Sequence, residues 1–127
     1  MLGEFGGDFI NFDKMNFYNV IPHQSTFIKK EIFNNNNYYD ESLKYSMDYE
    51  FYWKNKNDLK IKLINNKISI VNKNGASDKN YLKLFNEYAM IQKRYDVNNS
   101  FIININHLYR IVKFFIKNRI LLWKFLD

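Results

Sequence analysis

A chain of 127 residues, 46% hydrophobic and 19% aromatic, is long and apolar enough to close one core, which excludes global disorder. With no cysteine and two histidines, a disulfide framework, a cysteine-ligated zinc site and a histidine-rich metal cage are excluded as well. The net charge of +6 is uneven: His107 to Asp127 carries five basic residues and one acid, leaving 14 against 12 elsewhere, which speaks against a surface built to coat nucleic acid.

In chain order, Met1-Leu2-Gly3-Glu4 lacks the basic start and apolar block of a signal peptide. No run of about 18 uncharged apolar residues follows anywhere, so no spanning helix is predicted. Residues 5–12, Phe-Gly-Gly-Asp-Phe-Ile-Asn-Phe, read as a short strand opened by a Gly-Gly break. Such a strand needs sheet neighbours, and the expectation is that an N-terminal half supplying them is missing. Asp13 to Val20 reads as a loop or a single helical turn. Ile21-Pro22 forces extended backbone, and His23 to Ile28 is predicted to continue as a strand with polar groups at its start. Lys29 to Phe33 reads as a short helical turn that ends in Asn34–Asn37, a run suited to turns.

Tyr39 to Phe51 gathers four acids among aromatics, as the pairs Asp40/Glu41 and Asp48/Glu50. A helix is predicted from about Asp48 to Lys56, with Tyr49, Tyr52 and Trp53 at helical spacing and Ser46 as N-cap. Leu59–Ile64 and Lys67–Val71 are β-rich runs parted by Asn65-Asn66, a hairpin-like signal. After the Asn74-Gly75-Ala76-Ser77 break, Ser77 or Asp78 is suited to cap a helix from Lys79 to Tyr95. Its apolar face is Tyr81, Leu84, Phe85, Tyr88 and Ile91. A polar break at Asp96–Ser100 precedes a last helix from about Asn106 to Leu126.

An acid in the first turn of a helix is accounted for by the macrodipole alone, worth about 0.3–1 kcal/mol. What points beyond that for Asp48 is the order of its company. Ile21-Pro22-His23-Gln24-Ser25-Thr26-Phe27-Ile28-Lys29-Lys30 comes first, then Phe33 and Tyr38-Tyr39-Asp40-Glu41-Ser42-Leu43-Lys44. Asp48-Tyr49-Glu50-Phe51 and Gly75-Ala76-Ser77 follow. This succession resembles the second half of family 2 glycosyltransferases, above all the bacterial branch that builds surface polysaccharides. It covers about residues 5–95 and is specific in its combination. Where the family usually holds glycine, this chain has Asn37 or Tyr38, and asparagine is able to adopt the left-handed conformation glycine supplies.

The resemblance implies an α/β fold, a partial, Rossmann-like GT-A domain over residues 1–95 without its nucleotide-binding half; the residues of 96–127 themselves read as a C-terminal amphipathic basic helix. It implies inverting transfer from a nucleotide-sugar to a saccharide or lipid-linked acceptor, with Asp48 matching the catalytic base. A base needs an ionised carboxylate within about 2.6–3.2 Å of the acceptor hydroxyl. The helix dipole lowers its pKa and burial among Tyr49, Phe51 and Tyr52 raises it; the sequence does not order the two. His23 and Gln24 would line the site floor, and Gly75 to Ser77 would form a loop over the donor or a plain helix cap. Asp40 and Glu41 would be a turn device at the acceptor mouth and, with Glu50, would contact substrate. The family's Asp-x-Asp element, which holds Mn or Mg and the diphosphate, occurs nowhere in the chain, where Gly6-Gly7-Asp8 stands at the start. Alone, the chain is therefore expected to bind donor poorly and not to turn over.

Arg110, Lys113, Lys117 and Lys124 fall near one face of the apolar tail. That pattern fits peripheral contact of residues 107–127 with the inner face of the plasma membrane, in a cytoplasmic protein, or a helix docked on its own domain. Two other classes compete: a non-catalytic membrane-surface or partner-binding remnant of the fold, and a basic RNA-binding domain. Charge confined to the tail and the absence of an RNA-binding motif weigh against nucleic acid as a partner.

Overall fold

In the computed structural model, the described residues are 2–4, 12–34, 37–64, 66, 69–72, 75 and 79–123; for 2–4, 12, 71–72 and 118–123 they are described as backbone only. Helix dominates them. Helix α1 is Met47–Lys54, α2 is Tyr81–Arg94 and α3 is Ser100–Trp123. Three 3-10 turns, Phe12–Asn16, His23–Ser25 and Lys30–Phe33, carry the chain into α1.

Helix α1 is the centre of the molecule. Tyr49, Glu50, Phe51, Tyr52 and Trp53 are buried in succession, so nearly every side of the helix meets protein, the condition of a core helix rather than a surface one. Met15, Ile21 and Leu43 pack on it from the N-terminal segments and Ile91 from α2. Aromatic rings provide much of that contact. Phe33 stacks on Phe51 at 5.0 Å between centroids, Tyr39 tilts against Phe51 at 4.8 Å, and Tyr88 meets Tyr49 edge-on at 4.7 Å.

Ser46 is the N-cap residue of α1, as predicted, but its side chain makes no cap bond to the helix. The hydroxyl instead donates to Glu87 of α2 at 2.7 Å. That carboxylate also accepts the backbone N–H of Lys44 at 3.0 Å and of Tyr45 at 2.9 Å. A carboxylate from 41 residues away thus completes the start of α1, where the helix dipole favours negative charge. At the other end, Asn55 donates to the Phe51 carbonyl at 2.8 Å and exchanges amide bonds with Asn37.

Asn37 therefore serves through its side chain and not as a glycine surrogate. Among the described non-glycine residues, positive φ is confined to Asp96, at 47°. Asp96 follows the end of α2, and the Val97 N–H reaches back to the Gln92 carbonyl at 3.0 Å, the long bond of a Schellman cap. Asn99 then starts α3 by accepting the Phe101 N–H at 2.8 Å. The short link turns α3 back along α2, bringing Phe114 within 5.4 Å of Tyr81 between ring centroids. Residues 96–127 thus include a helix packed on the preceding part of the chain.

Several strand expectations are corrected. His23 to Ile28 is not a strand: the Ser25 N–H and the Ser25 and Thr26 hydroxyls all donate to the Pro22 carbonyl, curling the chain into a turn. Among the described residues, Leu59–Ile64 and the run after it form no hairpin. Ile70–Asn72 (β2) pairs antiparallel with Leu2–Glu4 (β1) instead, while residues 59–64 are irregular. Alternation in Leu59, Ile61 and Leu63 suits a pleated face, but a strand also needs a ladder partner, and none meets this segment among the described residues. Most of the strand predicted at 5–12 lies outside the described residues, and Phe12 opens a 3-10 turn. No Rossmann-like sheet is present among the described residues, where the extended structure is this two-stranded pair. No described helix is long and apolar enough to cross a membrane.

Candidate functional site

Asp48 stands in the first turn of α1, half-buried, with both carboxylate oxygens engaged. The Asn19 side-chain amide donates to one oxygen at 2.7 Å, and the Tyr49 backbone N–H donates to the other at 2.8 Å. Asn19 is itself oriented, because its amide oxygen accepts the Ile21 N–H at 3.0 Å, leaving its NH2 facing the carboxylate. A backbone contact thus aims the amide, and the amide aims the acid.

Burial raises the pKa of Asp48 above the ordinary carboxylate range. The Tyr49 N–H, the nearby His23 and the Asn19 amide pull it back only in part. Of the two opposed effects read from the sequence, desolvation outweighs the helix terminus. Three tyrosines lie within reach of its charge. Tyr52 is pushed up to about 12, chiefly by burial and further by Asp48, and burial followed by Asp48 raises Tyr39 and Tyr88 too. The carboxylate is held, partly dry, and ringed by phenols that stay protonated near neutral pH.

Further along α1 lies a groove of about 410 Å³, lined by Tyr52 and Trp53 together with Asp13, Asn16, Ile21 and Lys56; Asp48 is not part of its lining. Tyr52 lies one helical turn after Asp48 and belongs to both places. Lys56 holds its ammonium 4.8 Å from the centre of the Trp53 ring. The groove combines aromatic walls with groups of both charges, an arrangement suited to a polar ring compound.

The other candidate residues fare differently. His23 is exposed beside Asp48, and Gln24 is exposed in the same turn. Asp40 is a structural acid. It accepts the N–H of Ser42 at 3.0 Å and pairs with Arg94 at 2.7 Å, and its pKa falls to about 2, with the Ser42 and Arg94 bonds the largest causes. Glu41 is exposed in the turn after it.

Glu50, expected to contact substrate, is placed in the interior. It is 2% exposed on the far side of α1, 3.5 Å from Arg94 and bonded by the Tyr95 hydroxyl. Arg94 thereby clamps both acid pairs to the end of α2. Gly75 is exposed, with open space where a Cβ would stand, and its carbonyl accepts the Lys79 N–H at 3.3 Å. Ser77 lies outside the described residues.

Asn19, Tyr39 and Tyr88 were not among the sequence-derived site residues. Nothing in the local pattern of Asn19 marks it, whereas Tyr88 was visible on the apolar face of α2. As to a metal, no three acid or histidine side chains converge among the described residues. Asp40, Glu50 and Glu87 are already committed to Arg94, Tyr95 and the start of α1. This donor set does not fit a divalent ion. Comparison with protein-family models, curated proteins and solved structures gives no match.

Proposed function

We propose that the chain is the acceptor-side half of an inverting family 2 glycosyltransferase of surface polysaccharide synthesis, with Asp48 as its base. The observation that carries this reading is the setting of Asp48: a half-buried carboxylate with a raised pKa, aimed by Asn19 at the head of a core helix. As the acceptor oxygen attacks the anomeric carbon, its proton passes to Asp48. The bond from that carbon to the nucleoside diphosphate breaks on the opposite face. A raised pKa makes the carboxylate a better proton acceptor in that step.

The aromatic groove at Tyr52, Trp53 and Lys56 would hold part of a saccharide acceptor, with Tyr52 one helical turn from the base. Exposed Ile61, Leu63 and Ile64, in a strand-patterned segment without a ladder partner among the described residues, agree with a sheet completed by a nucleotide-binding half. The Mn or Mg ion and the donor diphosphate would belong to that half, and no step here runs through them.

The coding sequence upstream of Met1 is the first test, because a segment encoding an Asp-x-Asp half in either frame is required. With that half joined, Asp48→Asn is expected to lower transfer by about 10²–10⁴-fold while donor binding persists. Turnover retained in that variant would refute the assignment. A non-catalytic membrane-surface protein is the second reading, favoured by the exposed apolar row on α3. Its signature would be unrelated upstream sequence together with lipid binding.

A further inference from the structure

Helix α3 turns two different faces to its surroundings. Ile103, 1% exposed, is buried inward, and Phe114 meets Tyr81. Arg110 reaches into the domain. It donates to the Phe17 carbonyl and lies 5.5–5.9 Å from the ring centres of Tyr18, Phe85 and Tyr88. Burial depresses its pKa, although the surrounding tyrosines favour its charge.

The outer face is apolar. Phe101, Ile105, Leu108, Val112 and Phe115 follow one another in steps of four and three, and all are between 46% and 70% exposed. Ile102, Tyr109 and Ile116 widen the row on one side. At about 1.5 Å per residue the row is roughly 21 Å long. Lys113 and Lys117 are exposed along its edge, and the Lys113 ammonium lies 5.7 Å from the Tyr109 ring centre. Between Ser100 and Trp123 there is no acid at all.

We propose that this face of α3 seats the protein on an anionic lipid surface, lying in the plane of the interface. The helix is not apolar enough to span, yet it presents a continuous apolar row edged by cations, the combination an interfacial helix requires. Anionic headgroups answer Lys113 and Lys117 while the acyl boundary takes Leu108 and Phe115. A second copy of α3 offers no acid to meet those lysines. The seat runs from Phe101 to Lys117 and excludes Arg110, whose charge is spent on the Phe17 carbonyl. This inference stands whether or not Asp48 is a catalytic base.

Flotation of the full chain with vesicles of phosphatidylcholine, with and without phosphatidylglycerol, tests it. The chain is expected to float with the anionic vesicles and to be released by salt. Lys113→Gln with Lys117→Gln should weaken that binding about 25-fold, at about 1 kcal/mol per lysine, and should barely change binding to neutral vesicles. Leu108→Asp with Phe115→Asp, both at exposed positions, should abolish flotation while circular dichroism keeps the helical signal. Failure of the parent chain to float would overturn the proposal, as would flotation indifferent to both pairs. So would a concentration-dependent dimer lost in Leu108→Asp/Phe115→Asp without lipid binding, which would give the face to a second copy.

Discussion

Replacing Glu87 by alanine is predicted to loosen α1 from a distance. Its carboxylate accepts three bonds at the head of that helix, from the Lys44 N–H at 3.0 Å, the Tyr45 N–H at 2.9 Å and the Ser46 hydroxyl at 2.7 Å. Water takes over the Lys44 bond, because that residue is exposed. The other two are not replaced so easily, since Ser46 is 0% exposed and Tyr45 is half-buried. Hydrogen bonds to a charged group contribute about 1.5–3 kcal/mol net, and a stranded buried donor costs about 1–3 kcal/mol. Allowing for overlap between these, Glu87→Ala should cost about 3 kcal/mol, and Glu87→Gln, which keeps one acceptor, about half of that. Urea unfolding followed by tryptophan fluorescence reads the change, because Trp53 is in the core. In a melt, about 3 kcal/mol corresponds to roughly 10 °C for a domain of this size. A Glu87→Ala variant within about 0.5 kcal/mol of the parent would refute the idea that this carboxylate holds the start of α1.

Asp48→Asn is predicted to raise stability at neutral pH. The folded-state pKa of Asp48 lies above its ordinary value, so its ionised form is disfavoured by folding at pH above that folded value. The penalty fades as pH falls through the folded pKa and is gone below the unfolded value, so urea midpoints of parent and variant should converge in acid; a gap that widens there would contradict the assignment. Asn19→Ala removes a donor to the Asp48 carboxylate and should raise its pKa further, as read by carbon NMR of labelled aspartate; an unchanged titration would remove Asn19 from the site. Asp96→Gly should stabilise by about 0.5–1 kcal/mol, since glycine adopts the left-handed cap position without steric cost and the change also removes an acid from the end of α2. Loss of stability in that variant would show that the Asp96 side chain has a further role.

What could be read from the sequence was local. The helix predicted near Asp48 is α1 within two residues at either end, and that predicted from Lys79 is α2, because the spacing of Tyr81, Leu84 and Tyr88 is written nearby; the N-cap of α2 is Asn80 and not Ser77 or Asp78. The last helix begins six residues earlier than expected. Asp96–Ser100 reads as a polar break, whereas Asn99 caps the helix, and Asn104 and Asn106 within it dilute the apolar period. Strands were the weakest readings. Alternation at Leu59 to Leu63 describes a surface, and only a neighbouring chain segment turns that surface into a strand. Asp48 was legible as an acid in a first turn. Its partner Asn19, 29 positions away, and the Glu87 bonds to the start of α1 were not, because no periodicity joins residues so far apart.

The bond from Glu87 to Ser46 has a further consequence. At eight residues α1 is too short to persist alone, and its completion depends on α2. The bonds that tie the first half of the chain to the second run past the exposed segment 60–64: Gln92 to the Phe17 carbonyl at 2.6 Å, Asn98 to the Asn16 carbonyl at 3.0 Å, Arg94 to Asp40 at 2.7 Å. A protease cutting in that segment severs the backbone and none of these links. The two pieces should therefore migrate together on a gel-filtration column, as a non-covalent heterodimer, and come apart only in denaturant. Separated, the N-terminal piece should lose the circular-dichroism signal of α1, and adding the C-terminal piece should restore it. The central helix is thus held jointly by two segments of the chain rather than by either one.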